Sequence, residues 1–105
     1  MIQIPYIVDL DDILTDDFHL DTWVEDNHEL MDDIILIAAE ELISDTDASA
    51  IDILEFWLDG DIAAVLEMQR DGMKDALTNI LEHWLVREEY EKAAVTRDLI
   101  SSLDK

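Results

Sequence analysis

Five acidic doublets within the first 41 residues, at Asp11-Asp12, Asp16-Asp17, Glu25-Asp26, Asp32-Asp33 and Glu40-Glu41, are the residues of this chain with the widest chemical scope. Paired carboxylates serve glycoside hydrolysis and hold metal ions for phosphoryl transfer. Such enzymes also need a cleft, and usually cations to grip a charged substrate. Here the first 69 residues contain 20 Asp and Glu and no Lys or Arg, so a phosphorylated substrate would meet only repulsion. A non-enzymatic protein without catalytic residues or cofactor is the expectation. Calcium is not expected as a specific ligand either. The segment Asp45-Thr46-Asp47-Ala48-Ser49 starts like an EF-hand loop, but Ala50 replaces the sixth-position Gly and Phe56 the closing Glu. His19, His28 and His83 show no ligand spacing and read as surface or packing residues.

The second chemistry open to these acids is imitation of a phosphate backbone. The doublets at 25/26, 32/33 and 40/41 recur every seven to eight residues, two helical turns, so one helix would carry them on one face. Nearest members of a stripe through Glu25, Glu29, Asp32 or Asp33 and Glu40 would rise by about 5 to 6 Å, close to the spacing of successive phosphates. A helix studded in this way fits a groove built for nucleic acid, because phosphate contacts carry most nonspecific affinity. The competing reading is an ordinary solvated helix face. Such faces intersperse acids with Lys and Arg, which this stretch lacks. The expected contacts are Glu25, Glu29, Asp32, Asp33, Glu40 and Glu41, followed by Asp11, Asp12, Asp16 and Asp17.

The charge is also lopsided. All six cations, Arg70, Lys74, Arg87, Lys92, Arg97 and Lys105, lie among eight acids in the last 36 residues, giving formal charges of −20 and −2 to the two parts of a −22 chain. Like charges on a small surface destabilise the compact state, which points to a use for them. Half the residues are apolar and three are Trp, so the chain is not a disordered acidic tail; one domain over 1–105 is expected. Without Cys there is no disulfide or zinc-thiolate site. No basic leader or membrane-length apolar run is present, and a cytoplasmic protein of a bacterial host cell is the expected setting. Anionic bilayers and nucleic acids would repel it. The expected partner is a basic nucleic-acid-binding protein, with a homodimer also open and no direct binding to nucleic acid or membrane.

Two Gly and one Pro in 105 residues favour an all-α fold, a bundle of four to five helices with a short extended N-terminal arm. Residues 2–8 around Pro5 suit the arm or an edge strand, and a short helix can follow at 9–15. Asp21 or Thr22 is expected to cap a helix running to Ser44, with Thr22 and Glu25 as a capping box. Further helices are expected from Asp47 to Asp59, burying Ile51, Leu54, Trp57 and Leu58, and from Asp61 to Gly72. The cleanest amphipathic stripe is Met73, Ala76, Leu77, Ile80, Leu81, Trp84 and Leu85. A last helix over 88–103 must fold back on it as an antiparallel hairpin. Residues 1–69 are thus read as a strongly acidic helical part and 70–105 as a near-neutral helical hairpin.

In composition and texture, notably over HELMDDIILIAAEELISDTDASAIDILEFW, the chain resembles the small acidic DNA-mimic inhibitors of bacteriophages, which include anti-restriction and anti-CRISPR proteins. That resemblance implies inhibition by occupying a DNA-binding surface. Residues 90–103, YEKAAVTRDLISSL, resemble the UVR motif of UvrB and UvrC through Tyr90, Glu91, Ala93, Ala94, Arg97, Asp98, Ile100 and Leu103. In that family the motif is one arm of a hairpin for protein association. It implies an interface of Tyr90, Ala93, Ala94, Arg97 and Ile100 over a hairpin at 73–103, and an alternative function: an adaptor whose acidity serves only solubility.

Overall fold

A Leu58-Asp59-Gly60-Asp61 turn decides the architecture. Asp59 and Gly60 both take positive φ, 52° and 80°, the pair a two-residue hairpin of the I′ kind requires. The segments on either side are strands, Ala50–Leu58 (β2) and Asp61–Gln69 (β3), paired antiparallel with Leu58 opposite Asp61. The structure, a computed structural model, describes residues 3–12 and 19–103. The chain is therefore α+β, and the all-α expectation is overturned at 47–72, where two expected helices are one β-hairpin. Nothing lies within 4 Å of a Cβ built on Gly60, so Gly60→Ala tests backbone conformation alone. A loss of about 1 kcal/mol is expected in urea unfolding, and an unchanged midpoint would contradict this turn.

Tyr6–Asp9 (β1) is the edge strand expected of the N-terminal arm; it runs parallel to β2, with Tyr6 beside Leu54 and Val8 beside Phe56. The sheet order is β1-β2-β3. A short 3-10 turn, Leu10–Asp12, follows β1, while the rest of the helix expected at 9–15 falls outside the described residues. The crossover to β2 contains Leu20–Asp26 (α1) and His28–Ser44 (α2). The expected single helix is thus broken at Asn27, whose side-chain amide donates to the Trp23 carbonyl at 2.8 Å. It starts at Leu20 after an extended His19 with no side-chain cap, so Thr22 lies inside it and forms no capping box. Its end at Ser44 agrees with the sequence. After β3 come a 3-10 turn at Arg70–Gly72, then Met73–Val86 (α3) and Tyr90–Leu103 (α4), the expected helical hairpin.

One face of the sheet packs on the helices. Val8, Leu54 and Phe56 are buried with Met31, Ile34, Ala38 and Leu42 of α2 and Met73, Leu77, Ile80 and Trp84 of α3 in one cluster. Trp23 of α1 meets Phe56 edge-on, with centroids 5.4 Å apart. Trp84 is fully buried, and its indole N–H donates to Thr96 Oγ at 2.9 Å across the hairpin. Thr96→Val keeps the volume but orphans that donor. A loss of about 1–3 kcal/mol is expected from chemical denaturation, and a change under about 0.5 kcal/mol would show the bond to be dispensable. Among the described residues no helix is long and apolar enough to cross a membrane.

Candidate functional site

The acids expected to form one stripe divide into two sets. Asp32 is only 3% exposed and points inward. His83 Nδ1 lies 3.0 Å from both its oxygens, and Arg87 donates to Oδ2 at 3.0 Å. Since both carboxylate oxygens can only accept, Nδ1 must carry the hydrogen. Asp33 is half-buried and accepts from Lys92 Nζ at 2.9 Å. Asp32 and Asp33 thus fasten α2 to the hairpin. The correction is physical: a helix face that buries Met31, Ala39 and Leu42 also turns position 32 inward, and a carboxylate there must be paired.

Around this contact the charges adjust to one another. The Arg87 guanidinium sits 4.7 Å from the centre of the Trp84 ring and Lys92 Nζ 4.9 Å, and both reach Glu89. Hydrogen bonding to Arg87 above all, opposed by desolvation and aided by Lys92, holds the Glu89 carboxyl below its usual range. The Asp33 hydrogen bond raises Lys92 against the cost of burial. For Arg87 burial is the largest influence and lowers its pKa, but the bonds and attraction of Glu89 and Asp32 together outweigh it. Glu89 thus contributes stability above its unfolded pKa that disappears as pH falls through the lowered folded value. Lys92 contributes below its unfolded pKa and loses this as pH rises through its raised one.

Glu25, Glu29, Glu40 and Glu41 form the second set: all are exposed, and none makes an ion pair with another described residue. Glu25 belongs to α1 and the others to α2, so the break at Asn27 divides them. Glu29, Asp33 and Glu40 do share the outer side of α2, with half-buried Leu36 and Ile37 in the gap between the last two. Asp11 is exposed too, and its carboxylate accepts the Asp59 N–H at 3.2 Å, tying the end of β1 to the hairpin turn. Asp16, Asp17 and the side chain of Asp12 lie outside the described residues. Beside Glu25 runs a groove of about 740 Å³ with an apolar floor of Val24, Met31, Ile35, Leu66 and Ile80, rimmed by Asp21, His28 and His83.

Of the expected hairpin residues, Ala93 is buried and lets α4 approach α3, while Ala94 and Ile100 are half-buried. Tyr90, the first residue of α4, is 62% exposed, and Val86, the last of α3, is 83% exposed. Arg97 and Asp98 are both exposed and meet only at 3.9 Å, too loosely to fix an orientation. Sequence reasoning missed His83, Arg87 and Lys92 as the partners of α2. The available signal was their i, i+4 spacing at 83 and 87 on the face next to Trp84. No protein family model, curated protein or solved structure matches this chain.

Proposed function

We propose that the protein is an acidic inhibitor that occupies the basic, nucleic-acid-binding surface of another protein. The observation that supports this reading is how the cations are used. Arg70 donates to the carbonyls of Leu42, Asp45 and Ala48, closing the end of α2 and the turn after it. Arg87 and Lys92 are engaged by Asp32, Asp33 and Glu89. Arg70, Arg87 and Lys92 are thus directed to internal contacts rather than to the exposed glutamates, whose field they leave largely uncompensated.

The contact set is Glu25, Glu29, Glu40 and Glu41, with Asp33 and Asp11 at its margins; Asp32 belongs to the internal fastening instead. Such a surface steers a basic partner at long range and loses affinity as salt screens it. The test is capture of partners from bacterial lysate at low salt, followed by elution with salt or with duplex DNA. A nucleic-acid-binding protein released by both is the expected result. A partner that withstands salt and ignores DNA would overturn the reading.

That second result would favour the adaptor alternative, which rests on the apolar surface that Val86 and Tyr90 expose at the hairpin tip. Loss of the partner on Tyr90→Ala, with the four glutamates dispensable, would establish it.

A further inference from the structure

Among the described residues, the sheet is covered on one face only. Leu54 and Phe56 turn to the helices, so Glu55 and Trp57, which alternate with them, turn away. The register then builds two rows across the outer face: Ile7, Glu55 and Val65 in one, Asp9, Trp57 and Ile62 in the other. Ile7, Ile62 and Val65 are 60%, 49% and 46% exposed. The Trp57 indole N–H is satisfied by Glu55 at 3.0 Å, so its ring can be covered without stranding a donor. Both rows end at β3, the last strand in the sheet, whose outer edge has no strand beside it among the described residues. Residues 61–65 of β3 are exposed throughout.

An edge strand exposed over apolar residues such as 62–65 is normally blunted by Lys, Pro or a cover. The three strands contain no Lys or Arg, and the charged residues in them and in the β2–β3 turn are all acids, among them Asp9, Asp59, Asp61 and Glu67. Arg70, next after β3, is turned to carbonyls. A second copy would bring another −22 charge and the same acidic rim against this surface. The complementary occupant is apolar along its middle and positively charged around it.

We propose that the free edge of β3 and the adjoining outer face bind an extended segment of a partner protein in which apolar and basic residues alternate, taken up as a fourth strand. Backbone pairing with β3 supplies affinity; apolar side chains prolong the rows ending at Ile62 and Val65, and Lys or Arg on the opposite face meet Asp61. This surface lies on the side of the sheet away from α2, so it does not depend on the α2 glutamates, and the two readings fail separately.

The probe is a synthetic peptide matching β3 in length, alternating Val and Lys, added to the full chain at about 0.15 M salt. A peptide of the same composition with its Val and Lys in two blocks is the control. Slowed amide exchange within 61–69 is expected with the alternating peptide, together with binding about tenfold weaker in Val65→Lys or Ile62→Lys and near-normal in the Glu29→Gln/Glu40→Gln variant. Both strand positions are exposed, and circular dichroism checks that each variant folds. Equal binding of the blocked peptide, or binding without protection of β3, would reduce the effect to general attraction and overturn the proposal. Protection of β3 without peptide, in a dimer seen by sedimentation, would overturn it in favour of a second copy.

Discussion

Arg87→Met is expected to destabilise the protein by about 3 kcal/mol, lowering Tm by roughly 15 °C, because it removes a cation from a carboxylate that water cannot reach. Asp32 has two charged or chargeable neighbours, Arg87 and His83, and the half-exposed imidazole cannot replace a permanent guanidinium. The lost contact with the Trp84 ring adds a smaller amount. The double variant Asp32→Leu/Arg87→Met separates causes. Removing both charges leaves no buried ion to compensate, so much of the lost stability should return. Calorimetry on the four members of this cycle provides the check. A double variant as unstable as the sum of the single changes would mean that the pair is not what fastens α2 to the hairpin.

The second large effect is expected on binding. Glu25→Lys/Glu29→Lys/Glu40→Lys/Glu41→Lys should weaken association with the DNA-displaceable partner by about 100-fold. Each exposed charge contributes on the order of 0.2–1 kcal/mol, and reversal replaces attraction with repulsion. Most of the loss should be in the association rate at low salt, where the field steers the encounter, and it should shrink as salt rises. These four side chains have no ion pairs with described residues, so their reversal should leave the fold intact or stabilise it by relieving repulsion. Stopped-flow association at two salt concentrations measures both trends. A variant that binds normally would remove these glutamates from the interface.

The helices were legible where periodicity met no competitor. Met73, Leu77, Ile80 and Trp84 sit at helical spacing, and the short break before Tyr90 leaves only a hairpin, as observed. The β-hairpin was hidden by its own irregularities. The register shift between Asp52 and Leu54 leaves Ile53 as an extra residue in β2, and that between Phe56 and Trp57 leaves Ala63 as one in β3, so neither strand keeps a clean two-residue alternation and Ile51, Leu54, Trp57 and Leu58 fit a helix as well as a strand. Ala63 and Ala64 in β3 favour helix by propensity, and pairing with β2 overrides that preference. Asp59-Gly60 was the one unambiguous local signal, and it marks a hairpin turn where a helix stop was expected.

Of the acidic surface, Glu29, Glu40 and Glu41 could be placed outward from spacing alone. Asp32 could not be, because the side chains that receive it, His83 and Arg87, come from positions 51 and 55 residues later, a separation no local pattern encodes. The same limit hid the outer sheet face. Ile7, Trp57 and Ile62 become neighbours only once β1 and β3 flank β2.

The most direct test of inhibition by occupancy is a displacement titration. The basic partner is loaded with a fluorescent DNA duplex, the acidic protein is added, and the anisotropy of the DNA is followed together with the mass of the complexes formed. Occupancy of the nucleic-acid surface requires stoichiometric release of the DNA and a binary protein complex without it. A ternary complex that holds the acidic protein and the duplex together would contradict that claim.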